Sequence, residues 1–239
     1  MATVAKAHDF LRMGAALGIA EKDLRTEFRR SYEIISMLTF SFGSILICSF
    51  AFGVGTAGTA RPEVAAASLW VILFFTSILT FTTSFMREAD MGTLGGLKTL
   101  PCSPLAILAG KIIYGTALLL FIECVLIPAA IIFLNLHIDT GMQFLALLFV
   151  SILGAICLAF AGSFISGLVM FSEGKTLLLS FLLIPICIPA LLPSVGATKK
   201  LLSPGYTIAD VMPELRLLIA FLLLITAVMT LTFKFVLEE

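Results

Sequence analysis

Residues Arg87–Lys111 read READMGTLGGLKTLPCSPLAILAGK and stand between two long apolar runs. The stretch carries Arg87, Glu88, Asp90, Lys98 and Lys111, with helix punctuation at Gly92, Gly95, Gly96, Pro101 and Pro104. Charged, glycine-broken backbone has no place in hydrocarbon, where unpaired amides and carbonyls are costly. The segment is therefore predicted to lie in water or at headgroups, and the flanking runs to cross a bilayer. Leu94, Leu97 and Leu100 recur at threes, which predicts a short amphipathic helix. Ser103 before Pro104 reads as the cap and first turn of the next helix. A short helix held between two spans is a handle that another protein can push.

Composition agrees with that reading. Of 239 residues, 60% are hydrophobic and 13% charged, where a soluble domain carries about a quarter charged. Mean hydropathy is +1.13. The predicted class is an all-α, polytopic membrane protein. Net charge is zero, so no bulk attraction to nucleic acid is implied. The five cysteines, Cys48, Cys102, Cys124, Cys157 and Cys187, form no C-x-x-C pair, and neither a disulfide framework nor a metal site is supported. Met1–Ala20 lacks a compact apolar core followed by a cleavage site, so no cleaved signal is expected.

Two regions follow. Residues 1–33 form an N-terminal cytoplasmic or interfacial segment. In it Phe10, Met13, Leu17, Ala20, Leu24 and Phe28 draw one apolar stripe, with Lys22, Arg25, Arg29 and Arg30 off it. A basic amphipathic helix of this kind reads as lying on membrane lipid. Residues 34–239 form a six-span region. The spans are predicted at about Ile34–Val54, Val64–Met86, Ile112–Leu134, Met142–Phe171, Thr176–Val195 and Leu217–Val236, each long enough for a ~30 Å hydrocarbon core.

Lysine and arginine set the orientation. Arg61, Lys199, Lys200 and Arg216 fall on one side, and the other eleven of the 15 basic residues on the other. That asymmetry places both termini in the cytoplasm. Arg87–Lys111 then faces the cytoplasm, and the chain is assigned to the inner (cytoplasmic) membrane. Trp70 and Tyr114 are predicted as anchors at the two membrane interfaces.

Several stretches bear on chemistry. GTLGGLKT at Gly92–Thr99 has Leu97 where a P-loop needs its second glycine, and EGKT at Glu173–Thr176 has Val169 in place of the first. If ATP is used, another chain binds it. Glu123 lies near the middle of the third span, where an ionisable group marks either a substrate path or a carboxyl bonded to a neighbouring helix. Pro185, Pro189 and Pro193 remove amide donors every four residues in the fifth span. A broken helix is expected there, acting as a hinge or re-entrant segment, with a statically bent helix as the alternative. Ala155, Ala159, Ser163 and Gly167 make a small-residue ridge, fit for packing within the subunit or for a homodimer contact. His137, in the loop NLHIDTG, is read as a solvated side chain. No span pairs a nucleophile with a base or carries an H-E-x-x-H set. An intramembrane enzyme or scaffold is thus the weakest hypothesis, and no catalytic residue is assigned.

These residues resemble a known family. Lys22-Asp23-Leu24, Glu27 and Arg29 before a Phe-rich first span resemble the opening of CcmB, the membrane subunit of the cytochrome c maturation ABC transporter. Glu88, Asp90, Gly92, Thr93, Leu94, Leu97, Pro101, Ser103, Pro104 and Lys111 are similar to its cytoplasmic segment. Leu153-Gly154-Ala155 and Pro185 with Pro189 match its later spans. The middle pattern alone is shared with ABC-2-type exporter permeases, which leaves a generic exporter of lipid, glycan or drug as the second hypothesis. Gly95 stands where the family usually has an acid. The resemblance implies a six-span, ABC-2-type permease acting as a homodimer. It also implies a separate ATPase subunit that holds ATP and Mg, and a haem-handling membrane partner, with haem ligated by other subunits. On this reading Arg87, Glu88, Asp90, Gly92, Leu94, Leu97, Pro101 and Ser103 couple the chain to the ATPase.

Overall fold

The computed structural model describes residues 2–52, 61–90, 92, 104–138, 140–170, 172–205 and 208–236, with side chains 2–13, 83–90, 104, 208 and 233–236 outside the description. Among the described residues the backbone forms seven helices and no strand. They are α1 (Ala2–Arg29), α2 (Ser31–Ala51), α3 (Pro62–Asp90), α4 (Pro104–Phe133), α5 (Gly141–Val169), α6 (Lys175–Leu202) and α7 (Ile208–Val236). The last six are long and apolar enough to cross a membrane. Arg30, with φ of −99° and ψ of 62°, leaves the helical region and separates α1 from α2.

Hydrocarbon-length runs place the spans, but the helices overrun them. At 29 and 30 residues, α3 and α4 are each ~44 Å long against a ~30 Å core. The predicted loop Arg87–Lys111 is correspondingly shorter. Arg87, Glu88 and Asp90 lie in the last turn of α3, and Pro104–Lys111 is already α4. The fifth span extends to Leu202, and the sixth starts at Ile208, with Pro213 tolerated inside it.

Helix α3 is the most enclosed, with 67% of its apolar window buried, and α7 the least, at 22%. Side chains of α3 drive the packing by filling hollows left by glycine. The Trp70 ring occupies the space a Cβ would take at Gly154, and the Phe81 ring does so at both Gly115 and Gly162. Ser166 donates to the Phe81 carbonyl at 3.0 Å. Residue numbers rise together across these contacts, so α3 and α5 run in the same sense. Ala155, Ala159, Ser163 and Gly167 are all buried within the chain. The small-residue ridge thus packs inside the subunit, and the homodimer reading of it is excluded.

Two interface anchors are also corrected. Trp70 is 2% exposed, and its Nε1 donates to Thr198 Oγ1 at 2.9 Å. Tyr114 is equally buried. Both rings have protein partners for their polar tips, which outbids the headgroup layer.

Helix α6 is unbroken through Pro185, Pro189 and Pro193. The expected break or re-entrant turn is therefore absent. Pro185 and Pro189 are exposed, whereas Pro193 is buried. All other amides of α6 keep a helical path, and in hydrocarbon that path is the least costly one for them.

Candidate functional site

The C-terminal end of α3 and the N-terminal end of α4, with α1 beside them, form the face where the sequence predicts coupling. Arg87, Glu88 and Asp90 end α3, and their side chains lie outside the description. Gly92 is exposed in a turn at φ +67°, a left-handed conformation that favours glycine. Leu94, Leu97, Pro101 and Ser103 lie outside the described residues, as does the short amphipathic helix predicted there. Pro104 opens α4, the position where proline's fixed φ suits a first turn.

Helix α1 is seated on α4. Its docked face is Ala16, Ile19, Ala20, Asp23 and Glu27, spaced by threes and fours. A Cβ at Gly110 would lie 2.8 Å from the Ala16 carbonyl oxygen and 2.9 Å from Ile19 Cβ, so glycine permits the close approach. Lys111 Nζ is 2.8 Å from Asp23 Oδ2, and Lys22 Nζ is 3.1 Å from Asp23 Oδ1. Tyr114 donates to Glu27 Oε2 at 3.0 Å, with Glu27 fully buried. Phe28 and Phe121 meet edge to face at 5.5 Å. Ala20, Tyr114, Leu118 and Ile122 join Ile34 and Met37 of α2 in one small core beneath the seam.

Of the predicted stripe's described side chains, only Ala20 belongs to the buried docked face. Leu17 and Phe28 are exposed and Leu24 half-buried. On a helical wheel Leu17, Leu24 and Phe28 sit about 90° from the docked face. Lys111 is also corrected: it lies in the seam, not in water, and its side chain is 2% exposed. Asp23 and Glu27 stand out in the sequence only through the resemblance, Lys111 also as a charge of the Arg87–Lys111 stretch, and Tyr114 only as an anchor. A signal was present nonetheless. Asp23 and Glu27 are one turn apart, as are Lys111 and Tyr114, and each pair flanks small or apolar positions.

Elsewhere, Glu123 is buried in α4 and its Oε1 has no hydrogen-bond partner among the described residues. Pro189 and Pro193 line an apolar groove of about 650 Å³ with Ile186, Phe164, Phe221 and Ile225. Among the described residues, neither the groove nor Glu123 meets the ends of α3 and α4 where coupling is predicted. At the opposite end, Lys199 pairs with Glu63 at 3.3 Å and Lys200 with Glu214 at 2.6 Å, tying α6 to α3 and α7. Gln143 donates to the Leu201 carbonyl at 2.6 Å, tying in α5. His137 is exposed between α4 and α5. EGKT forms a helix start, with Gly174 at φ +70° before α6.

No curated protein sequence matches the chain. The family described as CcmB protein matches residues 14–238. That match runs from the docked part of α1 through the last span. The chain belongs to the CcmB family, multi-pass membrane permease subunits of the ABC transporter of cytochrome c maturation.

Proposed function

We propose that this chain is the membrane half of an ABC transporter in haem handling for cytochrome c maturation, driven by a separate ATPase. The family match over residues 14–238 carries the reading. ATP and Mg bind the ATPase, which docks on the cytoplasmic face at residues 87–103. Arg87, Glu88 and Asp90 supply charge there, Leu94 and Leu97 enter a groove on the partner, and Gly92, Pro101 and Ser103 shape the turns. The chain works as a homodimer in the inner membrane, with both termini cytoplasmic and a haem-handling membrane protein alongside. The exposed apolar edge of α1 lies on lipid. Glu123 stands on the substrate path, and Pro185, Pro189 and Pro193 let α6 flex.

The test is genetic and chemical. Cells lacking this chain should lose covalently attached haem on c-type cytochromes, read by haem staining of denaturing gels, while b-type haem stays normal. Restoring the chain should restore the stain. Normal c-type cytochromes in its absence would overturn the proposal.

A further inference from the structure

The seam between α1 and α4 contains more polar chemistry than adhesion needs. Two apolar helices can pack through Ala16, Ile19, Ala20, Leu118 and Ile122 alone. Instead Lys111, about two turns into α4, is buried against Asp23, and Tyr114 against a fully buried Glu27. Removing charges from water is costly, and a buried pair is weak evidence of added stability. Its best-attested use is to fix register, because a slip of one turn leaves a buried charge without its partner.

We propose that Asp23–Lys111 and Glu27–Tyr114 are positioning pairs that fix the axial register of α1 on α4, so that the two helices move as one body in the transporter cycle. Three further observations support this. The Gly110 contact allows backbone-close approach at a single level of α4. The residue numbers rise together along the seam, from Ala16 and Ile19 at Gly110 to Phe28 at Phe121, so the two helices run in the same sense. Finally, α4 begins at Pro104, directly after the cytoplasmic segment. Movement delivered to that segment then reaches α1, and movement of α1 reaches the third span. The moving-body part rests on the ATPase-driven function proposed above; the register part does not.

The test uses the full chain without native cysteines, in membranes. Phe28→Cys is combined with Phe121→Cys, or with Val125→Cys one turn further on, and a short bifunctional maleimide reads the register. With Asp23 and Lys111 intact, the 28–121 pair should cross-link in preference to 28–125. Asp23→Leu with Lys111→Met should abolish that preference, and Lys111→Arg should keep it. If the double variant does not insert, Asp23→Asn with Tyr114→Phe, which conserves volume, replaces it. An unchanged preference in the neutral variant overturns the proposal. In complex with the ATPase, the neutral variant should lower the maximal rate of stimulated hydrolysis and leave the affinity between subunits unchanged. Lost register with an unchanged maximal rate also overturns it. If the native chain stimulates no ATPase, the function reading falls, and cross-linking still decides the register.

Discussion

The indole of Trp70 donates to Thr198 Oγ1 at 2.9 Å and fills the hollow at Gly154, so one side chain joins α3, α5 and α6. Gly154→Leu should overpack that contact and destabilise the fold by about 1–3 kcal/mol or more. Thr198→Val, which removes only the hydroxyl partner, should cost about 1 kcal/mol. Thermal unfolding in detergent checks both. Trp70 is the only tryptophan, so its emission reports the site directly. We expect blue-shifted emission that resists aqueous quenchers. A red-shifted, readily quenched Trp70 would contradict the buried position.

Much of this fold is legible in the sequence, and the rest is hidden for identifiable reasons. Six apolar runs name six spans because only hydrocarbon rewards such length. The helix ends are less legible, because a helix that continues into water carries no hydropathy signal. Arg87–Asp90 at the end of α3 and Ile208–Arg216 at the start of α7 are examples. The proline triplet misleads in the other direction. Local rules predict a break at Pro185 and Pro189, and the surrounding membrane span keeps α6 helical. The seam is the least legible part. Asp23 and Glu27 meet Lys111 and Tyr114, partners far away in sequence that only the packed helices bring opposite them. The proposed coupling role of Leu94, Leu97, Pro101 and Ser103 rests on sequence and resemblance, since they lie outside the described residues.

Topology has a direct check. His137 is exposed at the end of the spans opposite the coupling segment. His137→Cys in a chain without native cysteines should react with a membrane-impermeant maleimide from outside intact spheroplasts. Labelling from the cytoplasmic side alone would reverse the orientation.

The role of Glu123 separates by stability and turnover. Its Oε1 is buried without a partner among the described residues, and an unpaired buried carboxyl oxygen is costly. Glu123→Leu should therefore raise stability by about 1–3 kcal/mol. If the carboxyl serves transport, the same variant should fail to mature c-type cytochromes although it is inserted and stable. Normal maturation would remove Glu123 from the substrate path.

The proline stripe is tested in the same manner. Proline in a helix interior is ~3 kcal/mol less favourable than alanine. Pro185→Ala with Pro189→Ala, both exposed, should stabilise α6. If α6 must flex, the double variant should also slow ATP-driven turnover. Unchanged turnover would leave these prolines without a hinge role.

In the proposed function, this chain receives force from a separate ATPase at its cytoplasmic face. The most direct measurement is ATP hydrolysis by the purified ATPase with the chain in lipid nanodiscs. The native chain should bind the ATPase and raise its turnover. Leu94→Asp with Leu97→Asp, shown to insert normally, should abolish both effects, because charge would enter an apolar groove. Full binding and stimulation by the double variant would contradict coupling at this segment, and no stimulation by the native chain would contradict the account as a whole.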